Sequence, residues 1–129
     1  MRARPLSPHL SIYRFMYTMA LSIAHRIAGV ALSIGLVLFA YWLMAAASGE
    51  QAYVSALGLL STPVVKIMLA GWLLAFVYHL CDGIRHLTWD VGIGLEKHEA
   101  RRSAAVTLVC TVLLFAVLAY LAFAAGSAS

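Results

Sequence analysis

Two sets of side chains in this sequence could do chemistry. His79, Asp82, Gly83 and His86 follow i, i+3, i+4, i+7 spacing, which puts two imidazoles and a carboxylate on one helical face within an apolar run. Ser22, His25 and Arg26 stand together near the start of another apolar run. An Arg, Lys or Asp at the centre of a membrane helix costs about 2.5–3.5 kcal/mol to insert, so such residues point to function. A neutral imidazole is a common axial ligand of haem iron, and a flat macrocycle beside His79 would need the clearance that Gly83 offers. The competing reading of His79 is a histidine hydrogen-bonded inside a bundle, with no metal. His86 is a further candidate cofactor contact, but it lies nearer the expected membrane boundary, where a role supporting the ligand or simple solvation competes. Asp82 precedes Arg85 by three residues and His86 by four, so an intrahelical pair would lower its insertion cost.

Ser22 and Arg26 are one helical turn apart and offer a hydroxyl and a fork of guanidinium donors. Such donors match the carbonyl of a quinone or the propionate of a haem, which Arg can bind bidentately. Arg26 could instead snorkel to lipid phosphate. For Gly29 and Ser33 the small-xxx-small spacing makes helix packing the default reading.

These residues sit in a chain of 129 amino acids that is 64% hydrophobic and 11% charged, against about 25% charged for a soluble domain. That is membrane composition, and no length remains for a soluble catalytic domain, so any enzymatic activity must be shared with partners. Three runs, over residues 20–47, 64–89 and 103–125, each supply the ~20 apolar residues that a spanning helix needs. The expected fold is an all-α membrane protein, one domain over 1–129 with three transmembrane helices in a bundle. Residues 1–19 read as an interfacial arm, 48–63 as a short loop with Pro63 starting the second span, and 90–102 as a charged loop. Arg2, Arg4 and Arg14 in the arm and Lys97, Arg101 and Arg102 in the second loop, with no such residue in the first loop, put the N-terminus in the cytoplasm. The two polar sets then share one half of the bilayer, where a bundle can hold a cofactor between helices. The third span, with Ser103, Thr107 and Thr111, reads as scaffolding.

Several classes are excluded. The net charge of +4 comes from residues near span ends, so no nucleic-acid surface is indicated. Cys81 and Cys110 lack any CxxC or Cys/His spacing and read as packing residues. The first apolar run is too long for the core of a signal peptide and carries His25 and Arg26.

Three segments carry a family resemblance: Arg4-Pro5-Leu6-Ser7-Pro8-His9-Leu10-Ser11-Ile12-Tyr13, Ser22-Ile23-Ala24-His25-Arg26-Ile27-Ala28-Gly29, and His79 through Asp90, His-Leu-Cys-Asp-Gly-Ile-Arg-His-Leu-Thr-Trp-Asp. In this order they resemble the cytochrome b subunits of succinate dehydrogenase, over nearly the whole chain, the third span matching only in position and hydrophobicity. The resemblance implies a four-subunit succinate:quinone oxidoreductase, or complex II. In it a flavoprotein subunit and an iron–sulfur subunit sit on two small membrane anchors, and the second anchor completes the bundle. It implies a haem b between the anchors, with His79 as this chain's axial ligand to the iron and the other ligand from the second anchor. His25 and Arg26 would meet the haem propionates, and Ser22 and Arg26 the ubiquinone that accepts electrons from succinate. Asp82 and Ala28 depart from the family pattern, which often has an apolar or amide residue and a hydroxyl residue there. Because the first motif follows Met1 almost directly, the expected location is a bacterial cytoplasmic membrane rather than a mitochondrial inner membrane. The rival expectations are a fumarate reductase-type anchor and a scaffold subunit without haem.

Overall fold

Hydropathy dictates the architecture. In a computed structural model, which describes residues 16–127, the chain forms four helices: α1 (Tyr17–Ala47), α2 (Glu50–Leu60), α3 (Pro63–Asp90) and α4 (Lys97–Ser127). No strand occurs among the described residues. α1, α3 and, from Lys97 to Gly126, α4 are long and apolar enough to cross a membrane. In lipid every backbone polar group must be satisfied internally, which a continuous helix does. Large apolar side chains face outward along all three spans, among them Val37 at 71%, Ile67 at 74% and Val112 at 63% exposure. That surface suits lipid or another membrane subunit, and would be untenable in water.

The expected spans are present, with three differences at their edges. α1 begins at Tyr17, taking the last three residues of the stretch assigned to the arm; residues 1–15, with Arg2, Arg4, Arg14 and the first motif, fall outside the described residues. The segment read as a short loop contains α2, whose 11 residues start after Gly49 in a left-handed backbone conformation (φ +108°) and are too few to span a bilayer. α4 starts at Lys97 rather than near Ser103. The Glu99 carboxylate accepts from the Glu96 backbone N–H at 3.4 Å, half of a capping box that satisfies a donor otherwise orphaned at the helix start. Pro63 occupies the first turn of α3 as expected.

α3 is the central element and packs on both α1 and α4. Close approach of α1 and α3 depends on two glycines: a Cβ at Gly35 would stand 3.1 Å from the Trp72 ring, and one at Gly29 would stand 3.2 Å from His79 Cε1. Ser33 is exposed, its hydroxyl donating to the Gly29 carbonyl at 3.0 Å. The small residues facing α3 are therefore Gly29 and Gly35, not the Gly29/Ser33 pair. Tyr78 Oη donates to the Leu21 carbonyl across the same seam at 2.7 Å. The α1 and α4 starts are tied by the Tyr17 hydroxyl on the Arg101 carbonyl. The start of α1, the end of α3 and the start of α4 thus lie at one end of the bundle, and both polar sets come from that half.

Candidate functional site

His25 lies eight residues into α1 and His79 eleven residues before the end of α3, about 12 and 16 Å from those ends at the helical rise. Their rings stack, with centroids 3.9 Å apart and planes inclined by 12°. His79 Nδ1 lies 3.2 Å from the backbone carbonyl oxygen of His25. A carbonyl can only accept, so this contact needs the proton on Nδ1 and leaves the Nε2 lone pair for another partner. Metal-bound histidines usually carry this arrangement, with the far nitrogen donating to a backbone carbonyl that fixes tautomer and orientation.

Room for the His79 imidazole itself comes from a glycine of the opposing helix. Gly83 lies next to His25, where a Cβ would make an ordinary 3.9 Å contact with Cε1. Gly29 on the opposing helix lets the His79 ring in. Position i+4 shares a face with His79, but the imidazole reaches across to α1 and leaves its own helix. Beyond His79 a groove of about 900 Å³ runs between α1 and α3, its wall including Leu32, Leu36, Trp72 and Phe76.

Asp82 is fully buried and gathers three partners. Its Oδ1 accepts from Arg85 Nη1 at 2.7 Å, while Oδ2 stands 3.3 Å from His86 Nε2 and 3.3 Å from His25 Nδ1. The expected intrahelical pair is present, and His25 of α1 joins it. The two imidazole contacts have ion-pair distances without hydrogen-bond alignment. Arg85, 5% exposed, stacks 4.2 Å above the Trp89 ring, and its Nε donates to Ser103 Oγ on α4 at 3.3 Å. α4 thus holds the central cation in place as well as bracing the bundle. His86 packs edge-on against both His25 and Trp89, at 5.2 and 5.1 Å.

Of the remaining expected residues, Ser22 is half-buried and Arg26 exposed, one turn apart on α1, and neither has a polar partner among the described residues. The structure does not bring them into the Asp82 network. Thr107 and Thr111 are buried on α4, the Thr111 hydroxyl donating to the Thr107 carbonyl. Cys81 is half-buried and Cys110 exposed; both are free thiols. The sequence reading missed the part Gly29, Arg85 and Ser103 play in the site. Arg85 carries a signal, a cation in an apolar run, but its spacing to Asp82 alone indicates no more than a neutralising partner.

The donor set fits a haem: an imidazole with Nδ1 committed to a carbonyl and Nε2 free, at the end of a largely apolar groove. Fold and site define a multi-pass α-helical membrane subunit with an imidazole cluster near one end of its bundle. Comparison with known proteins narrows the class. Residues 1–118 match the family described as the succinate dehydrogenase/fumarate reductase transmembrane subunit. The chain is 40% identical to the succinate dehydrogenase cytochrome b556 subunit of Rickettsia felis over 86% of each sequence. It is 41% identical to that of Paracoccus denitrificans over 93% of this chain and 92% of that protein. It is also 41% identical to the mitochondrial cytochrome b560 subunit of Homo sapiens, over 85% of this chain and 66% of the human protein. The chain belongs to the succinate dehydrogenase/fumarate reductase transmembrane subunit family. Its role is that of a membrane anchor in a complex of that class.

Proposed function

We propose that this chain is the haem b-bearing anchor of a succinate:quinone oxidoreductase, working with a second small anchor, an iron–sulfur subunit and a flavoprotein subunit. The relatives' names support succinate dehydrogenase over fumarate reductase. Rickettsia and Paracoccus relatives support a bacterial cytoplasmic membrane, and the arginines near the Asp82 end support placing that end toward the cytoplasm. The isolated chain has no activity of its own in this reading, because electrons reach it from partner subunits.

The observation that carries the haem assignment is the His79 imidazole, with Nδ1 against the His25 carbonyl and Nε2 uncommitted. When bound, a haem supplies a one-electron carrier within the membrane. This chain's residues orient it. His79 would ligate the iron through Nε2, with the second ligand from the partner anchor. Gly29 gives the ring room, His25 stacks against it, and His25 and Arg26 would meet the propionates. His86 holds Asp82, and Gly83 leaves His25 unobstructed.

For ubiquinone, the substrate, the Ser22 hydroxyl and the Arg26 guanidinium are free to donate to one carbonyl oxygen. Such donors stabilise negative charge developing on that oxygen during reduction and are worth more in a low-dielectric site than in water. Further quinone contacts come from partner chains.

The test is a reduced-minus-oxidised visible spectrum of the detergent-purified complex, with succinate as reductant, for wild type and His79→Ala. The b-type band is expected in wild type and lost or strongly shifted in potential in the variant. An unchanged band and potential in His79→Ala would refute the ligand assignment.

A further inference from the structure

Asp82 Oδ2 is buried and faces two imidazole nitrogens from different helices, His25 Nδ1 of α1 and His86 Nε2 of α3, each at 3.3 Å. Neither contact is an aligned hydrogen bond, and both Oδ2 and His25 Nδ1 lack a hydrogen-bond partner among the described residues. The three atoms lie within 4.8 Å of one another. In a tetrahedral zinc site with bonds of about 2.0–2.1 Å, adjacent ligand atoms stand about 3.3–3.4 Å apart. Two of the three separations here therefore already match a tetrahedral edge. We propose that His25, Asp82 and His86 form a binding site for a divalent first-row metal cation of the zinc, copper and nickel group, clamping α1 to α3.

The surroundings suit a ligand set. Asp82 and His86 present two donors from one helical face at i, i+4, and His25 closes the third side. Arg85 occupies the other carboxylate oxygen and is itself held by Ser103, so Oδ2 is oriented and kept free; such outer hydrogen bonds aim a ligand and support affinity. Two imidazoles and one carboxylate select zinc, copper or nickel over magnesium or calcium, which demand oxygen donors. Three protein ligands leave one position for water, as in open sites. The His86 side chain is 38% exposed, which gives a cation a way in. The Arg85 guanidinium opposes a dication nearby, so occupancy is exchangeable rather than permanent. The site uses His25 Nδ1 and Asp82 Oδ2 and leaves His79 Nε2 to the haem iron; it shares His25 with the haem reading and needs that residue to meet the propionates through Nε2.

The experiment strips the detergent-purified complex with a chelator, equilibrates it with zinc alone at graded free concentration, and measures bound metal by mass spectrometry and its coordination by X-ray absorption. Wild type is expected to bind one zinc in a nitrogen/oxygen shell at about 2.0–2.1 Å. His86→Ala and Asp82→Asn should each weaken that binding by at least the 10–100-fold seen when a ligand's supporting partner is lost. His86→Ala removes a half-exposed ring and so keeps the test valid if Asp82→Asn fails to assemble. No zinc retained by wild type, or equal zinc affinity in wild type and His86→Ala, would overturn the proposal.

Discussion

Gly29→Ala and Gly83→Ala form a pair in which the same chemical change should have opposite consequences. Both substitutions add one methyl and recover about 1 kcal/mol of helix propensity. At Gly83 the new Cβ meets His25 Cε1 at 3.9 Å, an ordinary contact, so the propensity gain stands and the variant is neutral or slightly more stable. At Gly29 the Cβ arrives 3.2 Å from His79 Cε1 and 3.7 Å from Nδ1. The ring cannot retreat freely, being stacked on His25 at 3.9 Å and held at the His25 carbonyl. Overpacking of this kind costs about 1–3 kcal/mol, so the two variants should differ by roughly that amount, about 5- to 150-fold in an equilibrium constant. Retention of the b-type band in the purified complex during graded denaturant or thermal challenge reads the difference. Haem loss from Gly29→Ala well before Gly83→Ala is expected. Equal retention, or greater damage from Gly83→Ala, would show that the clearance lies on α3 and that the α1–α3 seam is drawn wrongly.

Other outcomes follow from the same contacts. Arg85→Leu leaves the buried Asp82 carboxylate without its cation and should cost about 3–5 kcal/mol in denaturation of the complex. Arg85→Leu combined with Asp82→Leu should recover much of that loss, and simple additivity of the two would contradict the pairing. Arg26→Ala should lower quinone reduction about 10- to 150-fold, the worth of a hydrogen bond to a charged group at 1.5–3 kcal/mol. Dye reduction by the soluble subunits should persist in that variant; loss of both activities would mean failed assembly.

Hydropathy alone placed three spans, because a bilayer demands long, uninterrupted apolar helices. The elements it misplaced are those that hydropathy does not govern. α2 is 11 residues long between Ser, Gly, Thr and Pro, and those punctuating residues read as loop. The start of α4 carries no Ser, Thr, Asp or Asn cap in the sequence, since its half capping box runs from Glu96 to Glu99, and Lys97, Arg101 and Arg102 make the segment look too charged for a span. Gly29 could not have been singled out over Gly83. Choosing between them requires knowing which face of α1 meets α3, and periodicity on one helix is silent about its neighbour.

Asp82 marks how far a sequence argument could have gone. The spacing to Arg85 and His86 named two true partners, and neutralisation within one helix looked sufficient. An ionised carboxylate, however, has two oxygens and about four acceptor positions. In a low-dielectric interior each position left empty costs desolvation energy that a single ion pair does not recover. Arg85 fills one oxygen, and His86, near the end of α3, is too exposed to enclose the other. A third partner from another helix was therefore required at matching depth, and the basic residues of α1 are His25 and Arg26. Arg26, one residue on, points about 100° away around the helix and is exposed, which leaves His25. Asked of the sequence, the demand for positive charge near the second carboxylate oxygen would have joined the two polar sets through His25 and Asp82, which approach at an ion-pair distance of 3.3 Å without forming a hydrogen bond.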